Sequence, residues 1–268
     1  MSRKQKKYGI CRICGEQKEL TFEHIPPETV FNKGAVRNIG LDVVIEDTMK
    51  KDKLPWEINY GKGKIQQRGR GGFYLCSNCN SCTGQWYVPG YSKFVHVIQS
   101  ALMKVGEQKY ESLGIKIKDL KPLSVFKQIM TMFCDINEGL MGDDSLKDYL
   151  LDKSRRSFDK SRYNLYAHIH SGALERMNGI MVQATTNGII TLSEISTYPM
   201  GFTLYIDKPP NYKPDGVEIT SFSEWDYDDE CDVEIIIPKL ECNTIFSGDY
   251  RTKEDIERTM NRDIKNVK

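Results

Sequence analysis

The sequence predicts an α+β protein: a small metal-nucleated ββα module over residues 8–90, then a larger α+β domain over residues 91–268, with helices first and a mostly antiparallel sheet after them. Three observations predict it. Two C-x-x-C pairs, Cys11 with Cys14 and Cys76 with Cys79, lie far apart in the chain and can close one tetrahedral four-thiolate zinc site across the loop between them. Apolar residues recur at helical spacing as Phe94, Val97, Ile98 and Leu102, and again after Pro122 as Val125, Ile129, Met132 and Phe133. Beyond residue 162, short β-rich runs dominate, separated by Gly, Pro and Asn turns.

Each element has its own signal. Leu20–Ile25 has strand composition, and Pro26 and Pro27 end it because proline cannot continue a ladder. Residues 32–70 are polar and lysine-rich, with Gly61, Gly63 and Gly69, and form a long insertion or loop. Gly71–Leu75 reads as a second strand running into the second cysteine pair. Asn80 follows that pair where a short helix would begin, a place that suits asparagine as N-cap. Residues 145–152 suggest a third, shorter helix. The strand candidates are Tyr163–His170, Gly179–Ala184, Gly188–Ile195, Gly201–Ile206 and Val233–Ile237, and the charged end, Thr252–Lys268, suggests a terminal helix. There is no internal repeat, and no linker marks residue 90.

The bulk composition narrows the function classes. A chain of 268 residues has ample core, and its formal net charge is only +1. No stretch approaches the roughly 18 uncharged apolar residues of a membrane span. The basic start, residues 1–7, lacks the apolar segment of a secretory signal, so the expected location is the cytoplasm. There, eight cysteines with knuckle spacing point to metal rather than to disulfides. The charge is also unevenly spread. Residues 1–90 hold 15 Lys/Arg against 9 Asp/Glu, and the remainder holds 23 against 28, so the basic part coincides with the cysteine motifs and suits a polyanionic partner.

Several residues have competing readings. The four cysteines either bind zinc or are reduced core thiols, and Cys79 with Cys82 offers a second C-x-x-C register. Cys76 with Cys79 is preferred because it leaves Asn80 directly after the knuckle. Cys134, Cys231 and Cys242 are isolated and read as core. Glu23 and His24 lie at a strand end. A histidine there can deprotonate water near neutral pH, and a carboxylate with an amide oxygen suits Mg²⁺ or Mn²⁺. The stretch 62–72 is rich in glycine and basic residues, so Lys64, Arg68 and Arg70 either contact phosphates or are solvated. Gly61 to Lys64 lacks the spacing of a P-loop. His168 and His170 alternate on one strand face and read as structural. Trp86, Tyr87 and Tyr91 are expected to pack the motif helix on the second domain. The acidic run 224–230 reads as a solvated loop, or else as a partner-binding surface.

Taken together, Cys11-x-x-Cys14, Glu23-His24-Ile25-x-Pro27 and Leu75-Cys76-x-x-Cys79-Asn80-x-x-x-Gly84 resemble the zinc-bearing HNH endonucleases, in the variant of the phage endonuclease VII type. The resemblance covers about residues 8–90. It implies a ββα-metal fold, His24 as general base, Glu23 and Asn80 as ligands of a catalytic Mg²⁺ or Mn²⁺, and Cys11, Cys14, Cys76 and Cys79 around a structural zinc. The implied activity is hydrolysis of nucleic-acid phosphodiesters, DNA rather than RNA, in phage defence or mobile-element biology. Residues 91–268 would then set the target or regulation, with a regulatory protein as a second partner. Two positions depart from the pattern: Gly71 stands where the middle Asn is usual, and Gly84 where some relatives carry another metal-binding His. The rival reading is a catalytically silent zinc module that binds nucleic acid or protein. A third is an effector held inactive by a partner.

Overall fold

The computed structural model of the chain describes residues 6–40, 42–44, 46–47, 53–58, 61, 63–186 and 188–266, with side chains of the terminal helix described to residue 259. It is α+β, with a mostly antiparallel main sheet. Strands β1 (Lys7–Ile10), β2 (Gln17–His24) and β5 (Gly71–Cys76) form a small antiparallel sheet in the order β1-β2-β5. The insertion contributes a separate antiparallel pair, β3 (Val36–Asn38) and β4 (Lys64–Gln66).

Helix α1 (Ser77–Val105) starts directly from β5, with Cys76 at its N-cap, and ends at Gly106, whose positive φ and N–H bond to the Leu102 carbonyl close it. Two expectations are corrected here. The motif helix is long, 29 residues, and it carries Pro89 in its interior. Asn80 therefore lies in its first turns rather than at the N-cap. The extension has a packing cause: Tyr87, Tyr91, Phe94, Val95 and Ile98 form a buried stripe that the rest of the protein covers. The Tyr87 hydroxyl donates to the Leu150 carbonyl at 2.7 Å, and Tyr91 meets Phe202 with ring centroids 6.0 Å apart. Trp86 is half-buried beside Tyr87, and its carbonyl accepts from Tyr227. Residue 90 lies inside this helix, where a Cβ on Gly90 would come within 2.8 Å of Ser124. Glycine there lets α1 approach α2 (Pro122–Ile136) closely. Of the 15 residues of α2, all but the last are buried, which makes it the central helix. Helix α3 (Asp144–Leu151) is capped by Asp143, whose carboxylate accepts from Leu146 N–H.

The large sheet runs β6 (Ser112–Leu120), β12 (Cys231–Glu241), β7 (Tyr163–Ser171), β10 (Met200–Ile206), β9 (Gly188–Thr197), β8 (Arg176–Thr185), with β11 (Val217–Glu218) also on β7. Among the described residues of this sheet only the β12–β7 pairing is parallel. Strand β6 is a further correction, because it interrupts the run of helices. Its alternation of Leu113, Ile115 and Ile117 with polar residues is the ordinary half-buried strand signal. Helix α4 (Lys253–Asn266) closes the chain. One hydrophobic core runs from Cys11 and Ile13 through α1 and α2 to Leu204 and Ile237. Cys134 and Cys242 are buried in the interior as expected, whereas Cys231 is half-buried at the start of β12. The acidic run does not stand free. Glu224, Asp226 and Glu230 pair with Lys160, Arg156 and Lys121.

Arg176 and Glu194 form an ion pair in the interior, with Nη1 3.1 Å from both carboxylate oxygens. The remaining guanidinium donors reach the Thr244 and Asp249 carbonyls, and Gly248 N–H serves Glu194. Removing one member strands the other charge in the core. Arg176→Met is therefore expected to cost about 3–5 kcal/mol, read as a lower denaturant midpoint with unchanged slope.

Candidate metal centre and motif site

The turn between β1 and β2 carries Cys11 and Cys14, and Gly15, at φ +74°, donates its N–H back to the Cys11 carbonyl to tighten the knuckle. The other pair lies where β5 becomes α1. Antiparallel pairing of β2 with β5 closes the gap between them, and the sulfurs of Cys11, Cys14, Cys76 and Cys79 all lie within 4.8 Å of one another. The Cys14 and Cys76 sulfurs are 4.0 Å apart, and Cys76 N–H donates to the Cys11 sulfur at 3.3 Å. A hydrogen bond from Cys79 pulls the Cys11 thiol down to about 4, and the same bond with burial holds Cys79 up. Four cysteine sulfurs at these separations can hold a metal such as zinc. Cys82 lies outside the group, turned toward the Asn78 side chain, so Cys76 and Cys79 are the pair that meets Cys11 and Cys14.

The motif residues split between the two faces of β2. Thr21 and Glu23 share one face by alternation, and Asn80 reaches that face by donating to the Thr21 hydroxyl at 2.9 Å. Glu23 is turned inward, and burial raises its carboxyl to about 7. His24 points to the other face with Phe22, their rings 5.0 Å apart and edge-on. Arg68 stacks over the same Phe22 ring, 5.9 Å from its centroid, so it shares the side of His24. Lys64 is exposed on β4. Arg70 is half-buried and ion-paired with Glu175. That pairing commits Arg70 more than an open phosphate-binding loop suggests.

Gly71 has a strict steric reason. A Cβ there would sit 1.9 Å from the Glu23 carbonyl oxygen, so no side chain of any kind fits. The support that sequence reasoning missed comes from Asn32. Its amide donates to the Pro26 and Arg70 carbonyls at 2.7 and 2.8 Å and accepts from Arg70 N–H, tying the segment after His24 to the start of β5. Asp135, at the end of α2, was also missed. It is buried, and neither carboxylate oxygen has a hydrogen-bond partner. Burial, and then the charge of Glu23, push its carboxyl well up, against the pull of Arg12. Arg12 itself spends a donor on the Asp135 main-chain carbonyl and lies over the Tyr74 ring. No local pattern marks Asn32 or Asp135, because each acts on residues distant in sequence.

A second polar cluster lies in the large sheet. His168, Glu194 and Cys242 come within 4.8 Å of one another, but the guanidinium of Arg176 already neutralises Glu194, which disfavours a cation there. Both histidines bond to Ser196. Burial lowers His168 well below the usual range, and burial with two nearby arginines lowers His170 to about 4. The sign follows. Each histidine binds its proton more readily unfolded than folded, so its contribution is full above pH 6.5 and lost as pH falls toward 4. His170→Gln is expected to flatten the acid side of the stability–pH curve relative to the parent, measured by urea unfolding between pH 7 and 4.5. Parallel curves would refute the depressed His170.

Among the described residues no helix is long and apolar enough to cross a membrane. Compared with protein-family models, with curated proteins and with solved structures, the chain gives no match.

Proposed function

We propose that the chain is a metal-dependent endonuclease of the HNH type, with residues 8–90 as a zinc-stabilised ββα-metal module acting on nucleic acid, DNA in preference to RNA. The observation that carries this reading is the way the cysteine cluster organises the motif. Its second knuckle opens directly into α1, and α1 delivers Asn80 to the face of β2 that holds Glu23, one residue before His24.

Glu23 and Asn80 offer hard oxygen donors of the kind Mg²⁺ or Mn²⁺ takes, and the bound ion would stabilise charge developing on the phosphate. The chain's own residues do the rest. His24, at the strand end, accepts the proton of the attacking water. Arg68, on the same side, neutralises a flanking phosphate. Asn32 and Gly71 fix the backbone on either side of the base. Residues 91–268 supply targeting or regulation in this reading.

The test is incubation of the purified protein with plasmid, linear DNA and RNA in Mg²⁺, Mn²⁺ or EDTA. Metal-dependent strand scission is the expected result, and no cleavage in any metal would sink the proposal. One observation favours the rival silent zinc module: Glu23 is turned inward, away from the face of His24. That rival predicts zinc and nucleic-acid or protein binding without cleavage.

A further inference from the structure

A cavity of about 1060 Å³ lies between the insertion and the connection from β7 to β8. Arg37 lines it from the insertion, Arg70 from beside the motif, and His170, Glu175 and Arg176 from the sheet. It adjoins the motif through the backbone. The Arg70 carbonyl accepts from Ile25 N–H at 3.0 Å, and Gly71, the next residue, pairs with His24. Two of the charges are answered locally, Arg70 by Glu175 and Arg176 by Glu194, so Arg37 leaves the wall with a positive surplus.

Hydrogen-bond accounting fixes what His170 offers to this cavity. The Ser196 hydroxyl lies 2.9 Å from His168 Nε2 and 2.9 Å from His170 Nδ1. With one proton it donates to one imidazole and accepts from the other. The Cys242 thiol, 3.3 Å from Ser196, has Glu194 as an acceptor. His168 Nδ1 is buried without a partner. A buried unpaired N–H is rarer than a buried unpaired acceptor, so the His168 proton belongs on Nε2. Ser196 then accepts from His168 and donates to His170 Nδ1. His170 is neutral at physiological pH, so its own proton is on Nε2. The ring is held through Nδ1, no described residue accepts from its Nε2–H, and His170 lines both this cavity and the smaller one beside it. Burial first, and then Arg176 and Arg70, keep His170 neutral. Tyr198, half-exposed on the same wall, adds an aromatic surface of the kind on which bases stack.

We infer that this cavity binds single-stranded nucleic acid beside the motif, with His170 Nε2–H donating to a phosphate oxygen and Arg37 supplying the unmatched positive charge. The identity of the ligand rests on the proposed nuclease reading; the donor and the cavity do not.

The experiment is fluorescence anisotropy of the full-length, zinc-loaded protein with a labelled short oligothymidylate and no added divalent ion. One hydrogen bond to a charged acceptor is worth about a ten- to hundredfold change. His170→Ala is expected to weaken binding by that factor, and His170→Gln, which keeps an amide donor, to recover part of it. Arg37→Ala is expected to weaken binding and to lower the salt slope by about one. An unlabelled dinucleotide should displace the probe at far lower concentration than inorganic phosphate. Unchanged binding by a folded His170→Ala, with thermal unfolding as the control, would overturn the assignment. So would a parent that binds no oligonucleotide, or equal competition by phosphate. The two proposals fail separately. Cleavage in Mg²⁺ with His170-independent binding removes this site and keeps the nuclease. His170-dependent binding with no cleavage in any metal removes the nuclease and keeps the site.

Discussion

Alanine at His24 is expected to leave zinc content, thermal unfolding and nucleic-acid binding at parental levels while cleavage falls about 10²–10⁴-fold, the usual cost of losing a general base. The fold should tolerate the change. His24 contributes an edge contact to Phe22 at the end of β2, and the backbone that follows is held by Asn32 and by the pairing with Gly71. Asn80→Ala is expected to lose cleavage to a similar degree, with partial recovery at high Mg²⁺ or Mn²⁺, because a weakened cation site refills by mass action. It also removes the bond to Thr21, so its unfolding midpoint must be measured beside its rate. A His24→Ala protein that cuts as fast as the parent would eliminate His24 as the base. If instead the parent proves inactive in every metal, the silent zinc module replaces the nuclease reading.

Cys11→Ser and Cys79→Ser are expected to release the metal and unfold the small sheet. Structural zinc contributes an apparent 10–16 kcal/mol in finger-sized peptides, of the same order as the whole stability of an ordinary domain. The effect should reach beyond residues 8–90, since Cys11, Ile13, Cys76 and Cys79 belong to the same core as α2 and the large sheet. Cys82→Ser, outside the cluster, should keep both metal and fold. Elemental analysis and thermal unfolding of the three variants decide the matter. A native protein without zinc, together with serine variants that melt like the parent, would dispose of the four-cysteine centre. Loss of metal from Cys82→Ser alone would show that the second register is the one used.

Local signals explain why much of the architecture was legible before folding. Two C-x-x-C pairs specify two knuckles, and a four-ligand metal requires that they meet, so the cysteine cluster follows from spacing alone. Strand and helix periods are equally local, which is why β2, β5, α2, α3 and the antiparallel strands after residue 162 fall where the pattern places them. The extent of α1 was not legible, because Pro89 and Gly90 argue for a break there and only burial of the Tyr87, Tyr91 and Phe94 face overrides them. The same limit applies to β6, whose place in the sheet depends on β12, more than a hundred residues later.

The sequence by itself determined which four cysteines can meet at a metal, most of the elements and the order of Glu23, His24 and Asn80 along the chain. Only tertiary packing decided that Glu23 turns inward toward the influence of Asp135, that Arg70 is spent on Glu175, that Asn32 braces the segment after His24, and that Ser196 holds His170 at the wall of a cavity. The physical reason is one of range. Thiolate spacing and hydrophobic period act within a few residues, whereas burial, charge pairing and hydrogen-bond direction depend on which distant segments share a surface.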